Sequence, residues 1–358
     1  MTGQTAAPSP HVPVRPDWLA TTVEPALDPA LPIVDAHHHL WDRPEHRYLL
    51  PDLAADIATG HKIVATVYVQ ARSMYRADGP EPMRPVGEVE FANGAAAQSA
   101  SGIYGPARAC AGIVGFADLR LGDAAQPVLE ALVAAGNGRL RGIRNTTAAH
   151  PDPEIRSNPQ PPPEGILMED GFRRGAVLVG KMGLSLDVWA YHTQLGDVAA
   201  LARTCPQTSI VVDHCGGPLG IGPFRGKRAE VFTEWRAAMA TLAGLPNVTV
   251  KLGGLAMRVG GFDFDLQEQA PSSTQLADAW RPYVDSLIEL FGAERCMFES
   301  NFPVDKGMCS YAVLWNAFKR LAAGASATEM TALFSGTACR VYRLPDHVGG
   351  QPHDTLTQ

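Results

Sequence analysis

The sequence predicts a parallel (β/α)8 barrel of the TIM type. Three observations point there: eight short apolar runs, helical periodicity between them, and connections that are long on one side only. The runs are "LPIVDAHHHL", "KIVATVYVQA", "ACAGIVGFADL", "RLRGIRNT", "LSLDVWAY", "SIVVDHCG", "NVTVKLGGL" and "RCMFESNF". Each is too short for a core helix and is bounded by turn residues, so each reads as a buried strand. Between them "VGEVEFANGAAAQSAS", "AAQPVLEALVAAG", "LGDVAALART", "AEVFTEWRAAMATLAG" and "LADAWRPYVDSLIELFG" repeat apolar residues at three and four positions, the helical period.

Connections from helix to strand are short, as in "GHK", "GNGRL", "CPQTS", "LPN" and "GAER". Several connections leaving strands are long: "RSMYRADGPEPMRPVGE", "NTTAAHPDPEIRSNPQPPPEGILMEDG", "CGGPLGIGPFRGKRAE" and "GGLAMRVGGFDFDLQEQAPSS". Strand-to-helix loops of such a barrel all sit on its C-terminal face, so the extra sequence predicts a roofed pocket there. The Pro-rich "HPDPEIRSNPQPPPEG" reads as a lid-like loop, because strand and helix patterns continue on both sides of it. Residues 1–30 read as a flexible Pro-rich tail, 31–345 as one barrel and 346–358 as a second flexible tail.

Composition narrows the function classes. The chain has 358 residues, 46% hydrophobic content and a net charge of -7, so it lacks the basic footprint of a nucleic-acid or anionic-membrane binder. No run reaches the roughly 18 apolar residues of a membrane span, and the N-terminus has no signal-peptide pattern. The six cysteines lack C-x-x-C pairs and read as buried free thiols, which with the absent signal predicts a cytoplasmic protein. A homo-oligomer is compatible with this composition.

Strand ends would converge on one mouth, so polar groups placed there are the candidates for chemistry. In "IVDAHHHLWD" strand alternation sends Asp35, His37 and His39 to one face and Ala36 and His38 to the other, and the His37–His39 pair suits a zinc-like ion. His192 follows the fifth strand, and His214 sits between an apolar strand and a Gly-Gly-Pro turn, where an imidazole is placed to ligate a metal or move a proton. Arg144 could bind a substrate carboxylate or pair with an acid such as Asp118; Arg72 and Tyr75 on the second mouth loop, and Lys251 in the seventh strand, are further candidates for an anionic small molecule. Glu299 and Asn301 end the eighth strand, with Asp305 shortly after.

Taken in order, "VDAHHHLWD", "LRGIR", "VVDHCGGP", "VKLGGL", "MFESNFPVDK" and "LFSGTACRVYRL" resemble the amidohydrolase superfamily, in its amidohydrolase 2 branch of lactonase-like barrels. The resemblance spans roughly residues 32 to 345 and implies hydrolysis of a lactone or related ester, often with a divalent ion. It maps His37 and His39 onto the first-strand pair and His214 onto the sixth-strand histidine, with His192 a looser match to a fifth-strand ligand. Family members usually carry aspartate where this chain has Asn301, and an amide is no base near neutral pH. The expectation is therefore a lactonase opening a small carboxylated lactone, in which a divalent ion on His37 and His39, helped by His192, polarises the carbonyl. His214 or Asp305 activates water beside Asn301, and Arg144, Arg72, Tyr75 and Lys251 hold the substrate. Two rivals follow from the same residues: a metal-dependent non-oxidative decarboxylase of an aromatic or unsaturated acid, and a barrel that only binds a small acid.

Overall fold

The computed structural model describes residues 10–43 and 46–345. Its eight parallel strands pair in chain order: β1 (Pro32–His38), β2 (Lys62–Val69), β3 (Arg108–Gly115), β4 (Leu140–Thr146), β5 (Ser185–Trp189), β6 (Ile210–Val212), β7 (Val248–Leu252) and β8 (Cys296–Phe298). The ring closes just above β8, where His39 N–H donates to Phe302 C=O at 2.7 Å and Asn301 N–H to His37 C=O at 2.9 Å. The eight expected strands are thus the eight barrel strands.

Helices separate them: α1 (Leu50–Ile57), α2 (Val86–Ala100), α3 (Gln126–Ala135), α4 (Asp170–Lys181), α5 (Leu195–Thr204), α6 (Arg228–Ala243), α7 (Ser273–Phe291) and α8 (Tyr311–Leu321). Three of these, α1, α4 and α8, were not among the expected helices. In α4 the glycines that resemble breakers serve packing: a Cβ on Gly171 would lie 2.2 Å from Arg120 O, and one on Gly175 would lie 2.4 Å from Leu119 O. Helix α8 is buried over nearly all its length, its polar residues Asn316 and Lys319 included. None of the described helices is long and apolar enough to cross a membrane, and all six cysteines are free thiols.

Two regions correct the sequence reading. Residues 10–30, expected to be part of a flexible tail, pack on the barrel: Val12, Trp18 and Leu19 are buried, Trp18 Nε1 donates to Gln267 O at 3.0 Å, and Leu27 N–H donates to Asn316 Oδ1 at 2.8 Å. The expected tail residues 1–9 and 346–358 lie outside the described residues. In β1, pairing with β2 slips between Asp35 and His38. Val34 and Ala36 therefore join Val67, Val211, Met297 and Tyr342 inside the barrel, while Asp35 turns away and accepts from Ser300 Oγ at 2.6 Å and Tyr311 Oη at 3.0 Å. One extra residue reverses the alternation, so His37 and His39 regain the interior without Asp35.

Candidate active site

At the C-terminal face, the ends of β1 and β6 bring together the imidazoles of His37, His39 and His214, with Arg144 from β4 and Glu299 from the end of β8 beside them. His37 and His39 rings lie 4.8 Å apart, and His37 and His214 rings 4.6 Å apart. Glu299, one residue beyond β8, bridges two of them: its Oε1 accepts from His214 Nδ1 at 2.7 Å and its Oε2 lies 2.8 Å from His37 Nδ1. A carboxylate only accepts, so His214 carries its proton on Nδ1 and presents Nε2 as a lone pair; a guanidinium only donates, so Arg144 Nη1, 3.3 Å from His37 Nε2, marks that nitrogen as a lone pair too. His39 is set the same way, because its Nδ1 donates to Val69 C=O at 2.8 Å.

Local sequence makes this fit. His214 takes a left-handed backbone, φ 55°, a costly position for a non-glycine residue and one that turns its N–H to Glu299 Oε1 at 3.1 Å. The paired glycines after β7 make room: a Cβ on Gly253 would meet Glu299 Cγ at 2.4 Å, and one on Gly254 would meet His214 Nδ1 at 2.5 Å.

Beneath the imidazoles lies a buried charge cluster of which the sequence reading singled out only Lys251. Lys251 Nζ sits 2.8 Å from Asp187 Oδ2 and 3.0 Å from Asp213 Oδ1, and Tyr342 Oη donates to Asp187 at 2.6 Å. Lys251 donates to Asp187 Oδ2, forms an ion pair with Asp213, and lies 3.2 Å from His37 Nδ1. Lys251 was expected at the substrate; it is fully buried below His37 and does not line the cavity. Burial alone would lower its pKa, but Asp187 and Asp213 outweigh that and hold it above the usual lysine range. Burial, reinforced by Lys251, keeps His37 well below the ordinary histidine value; burial and then Arg144 do so for His39. Burial would raise Glu299, but the neighbouring His214 and His37 hold it well below the usual carboxylate range. The floor therefore sets neutral His37 and His39 against an ionised Glu299.

The cavity above this floor has a volume of about 430 Å³ and is lined by His39, His214, Arg144, Arg43, Arg72, Tyr75, Trp41, Trp189 and Asn301, with His11 and Ser157 to Gln160 on its upper walls. Among the described residues three arginines and no carboxylate face it, which favours an anion. Arg144 donates to Gln70 C=O, its Nη1 lies 3.3 Å from His37 Nε2, and its buried Nε has no hydrogen-bond partner among the described residues. Asp118, weighed as its partner, pairs with Arg120 instead. Arg72 donates to Gln160 Oε1 at 3.1 Å, so the second mouth loop and the Pro-rich loop meet over the cavity. Both residues, with Tyr75 and Thr146, also line a neighbouring hollow of about 710 Å³ under Pro161 to Pro163. Glu88 pins the Arg72 loop from below, accepting from the N–H groups of Ala71 and Ser73 at 2.7 and 2.9 Å.

Two expected residues lie away from the floor. His192, expected as a metal ligand, accepts from Leu219 N–H at 3.4 Å and packs on Phe224, outside the cavity lining; Trp189 takes the mouth-facing position after β5. Asp305, expected as a base, is buried behind Asn301, whose Nδ2 donates to it at 2.8 Å; burial pushes its pKa well above the carboxylate range. Asn301 itself lines the cavity. Asp213, unnoticed beside His214, is the missed carboxylate at the floor.

The donor set fits a divalent cation. His37, His214 and Glu299 offer ligand atoms within 4.8 Å of one another. The contacts of Glu299 at 2.7 and 2.8 Å are hydrogen-bond lengths, however, which leaves the Nε2 edges as the open ones. His37 Nε2 and His39 Nε2 are 3.2 Å apart. Two ligands on a tetrahedral zinc with bonds of about 2.0–2.1 Å are separated by about 3.3 Å. Both oxygens of fully buried Asp213 lack a hydrogen bond among the described residues, although Lys251 at 3.0 Å and Arg144 at 3.6 Å already oppose its charge.

A sequence model of the amidohydrolase family matches residues 34–344. The chain belongs to the amidohydrolase family. It is similar to the uncharacterised protein y4mH of Sinorhizobium fredii, at 32% identity over 87% of this chain and 98% of that one. It is also similar to the L-fucono-1,5-lactonase of Burkholderia multivorans, at 28% identity over 87% of this chain and 96% of the relative. A crystal structure of an amidohydrolase from Burkholderia multivorans with bound zinc superposes with a TM-score of 0.68, at 26% identity, over 87% of this chain and 99% of that one. This amidohydrolase therefore shares fold and near-full length with its relatives.

Proposed function

We propose that this amidohydrolase is a lactonase that opens a small sugar-acid lactone at the floor of the arginine-lined cavity. The observation that carries the reading is Glu299 bridging His214 Nδ1 and His37 Nδ1, which fixes His214 Nε2 as a lone pair beside Arg144. The similarity to L-fucono-1,5-lactonase supports the substrate class.

The residues of this chain supply each step. His214 Nε2 takes a proton from water, and Glu299 stabilises the imidazolium that forms. The water oxygen bonds to the lactone carbonyl carbon while the carbonyl oxygen gains charge next to the Arg144 guanidinium. The bond from that carbon to the ring oxygen then breaks, and the ring oxygen recovers the proton from His214 as it leaves as a hydroxyl. The product is a hydroxy acid whose carboxylate meets the cavity arginines. His37 and His39 are the residues that would hold a divalent ion by Nε2, and such an ion, when bound, supplies Lewis-acid polarisation of the carbonyl.

The test is a panel of five- and six-membered lactones, L-fucono-1,5-lactone included, with elemental analysis of the purified protein and assays before and after chelation. His214→Ala is expected to lower kcat by about 10³-fold or more. A wild-type chain that opens no lactone in the panel overturns the reading, and full turnover by metal-free protein removes the ion from the mechanism.

A further inference from the structure

The stretch ahead of the first strand crosses the barrel mouth and reaches the cavity. His11 lines it. Its ring stacks on Trp41 at 6.1 Å, and Trp41 stacks on His39 at 5.7 Å, so near-parallel rings run from this stretch down to an imidazole of the floor. Arg43 lies over Trp41, 3.9 Å from the ring centre. Val12 is buried beside Val304, Met257 and Ser157, residues that also line the cavity. Gly307 lets this segment approach so closely, since a Cβ there would lie 2.4 Å from Val12 O. Trp18 and Thr22 tie the following residues to Gln267 and Ala270. The amidohydrolase match begins only at residue 34, so this wall lies outside the matched region.

We propose that the segment around His11 is a wall of the active site and that His11 is a specificity-determining residue, reading the hydroxyl-bearing end of the lactone. The inference rests on the lactonase reading for its ligand. The arginines and the imidazole floor take the reacting carboxyl carbon, which leaves the His11–Trp41 side for the remaining carbons. The Trp41 ring, covered by His11, His39 and Arg43, holds the His11 imidazole in place, and an imidazole on this wall exchanges hydrogen bonds with the hydroxyls of a polyhydroxylated chain. Burial, with Arg43 and His46 nearby, pushes His11 down to about 4, so it is neutral at physiological pH and recognises hydroxyls rather than a second anion.

Two variants of the full protein test this: His11→Ala, and a deletion of residues 1–14 that keeps the Trp18 anchor. On L-fucono-1,5-lactone both are expected to raise KM by about tenfold with kcat changed less than about threefold, the loss of one hydrogen bond plus stacking. On δ-valerolactone, which has no ring hydroxyls, His11→Ala is expected to match wild type. A second readout needs no substrate: carbethoxylation of His39 by diethyl pyrocarbonate, followed by peptide mass spectrometry, should be about tenfold faster in the deletion, as expected when a packed wall is removed. Unchanged labelling overturns the wall, and unchanged KM with accelerated labelling overturns the specificity role. A wild-type chain inert to every lactone sinks the lactonase reading and the hydroxyl-reading role with it, while the labelling experiment still decides whether the wall exists.

Discussion

Replacing Glu299 with glutamine tests the site at the atom on which its protonation pattern depends. The carboxylate accepts from His214 Nδ1 at 2.7 Å, lies 2.8 Å from His37 Nδ1, and also accepts from His214 N–H at 3.1 Å. Hydrogen bonds to a charged partner contribute about 1.5–3 kcal/mol, against about 0.5–1.5 for neutral ones, so the His214 bond loses roughly 1–1.5 kcal/mol of orienting energy, and the charge beside His37 is lost with it. The amide also sets an NH₂ against one Nδ1–H, so one ring must move its proton to Nε2. If that ring is His214, no lone pair meets the water. We expect kcat to fall by about 10²–10⁴, equivalent to about 2.7–5.4 kcal/mol at 1.36 kcal/mol per decade. Because Glu299 does not line the cavity, KM should stay within about threefold. The assay is steady-state lactone hydrolysis, with thermal unfolding to confirm an intact barrel. A kcat within about fivefold of wild type would refute the bridge as the source of the base.

Three further outcomes follow from the same contacts. Lys251→Met leaves Asp187 and Asp213 as uncompensated buried charges and should cost about 3–5 kcal/mol in urea unfolding; a stability equal to wild type would contradict its placement below the substrate. Arg72→Ala, which frees Gln160, should raise KM for an anionic lactone by about three- to tenfold with little change in kcat, whereas a kcat loss alone would place Arg72 in the chemistry. His38, facing Thr66 and Cys110 rather than the cavity, is pushed by burial from 6.5 to about 4. As pH falls the unfolded chain takes up this proton first, so the group's contribution is intact above pH 6.5 and is lost between 6.5 and 4, about 3 kcal/mol in all. His38→Gln should flatten the stability loss measured by urea unfolding over that window, and an identical slope would count against the assignment.

Much of the site's membership was legible because it depends on strand ends. A strand's last residues face the mouth whichever loop follows, so His37, His39, Arg144 and His214 could be placed there from their positions alone. Asp213 stood in the same quoted run as His214 and carried a usable signal, a carboxylate at a strand end, but an Asp-His pair at a turn resembles a surface turn as much as a floor. His192 and Asp305 illustrate the limit: both follow strands by a few residues, and loop conformation rather than strand geometry sends one to Phe224 and the other behind Asn301.

Apolar runs and helical spacing, read residue by residue, determined the barrel, the order of its strands and the face that carries the long loops, because these properties are set by neighbours close in the chain. Tertiary structure alone decided the rest. The slip in β1 turns Asp35 out, the packing of Gly253 and Gly254 against Glu299 and His214 sets the carboxylate between two rings, and residues 10–30 pack on the barrel instead of forming a tail. Each is settled by contacts between residues far apart in the chain, where burial and the nearest charge, not sequence spacing, select which carboxylate orients, which lysine stays buried and which imidazole keeps its lone pair.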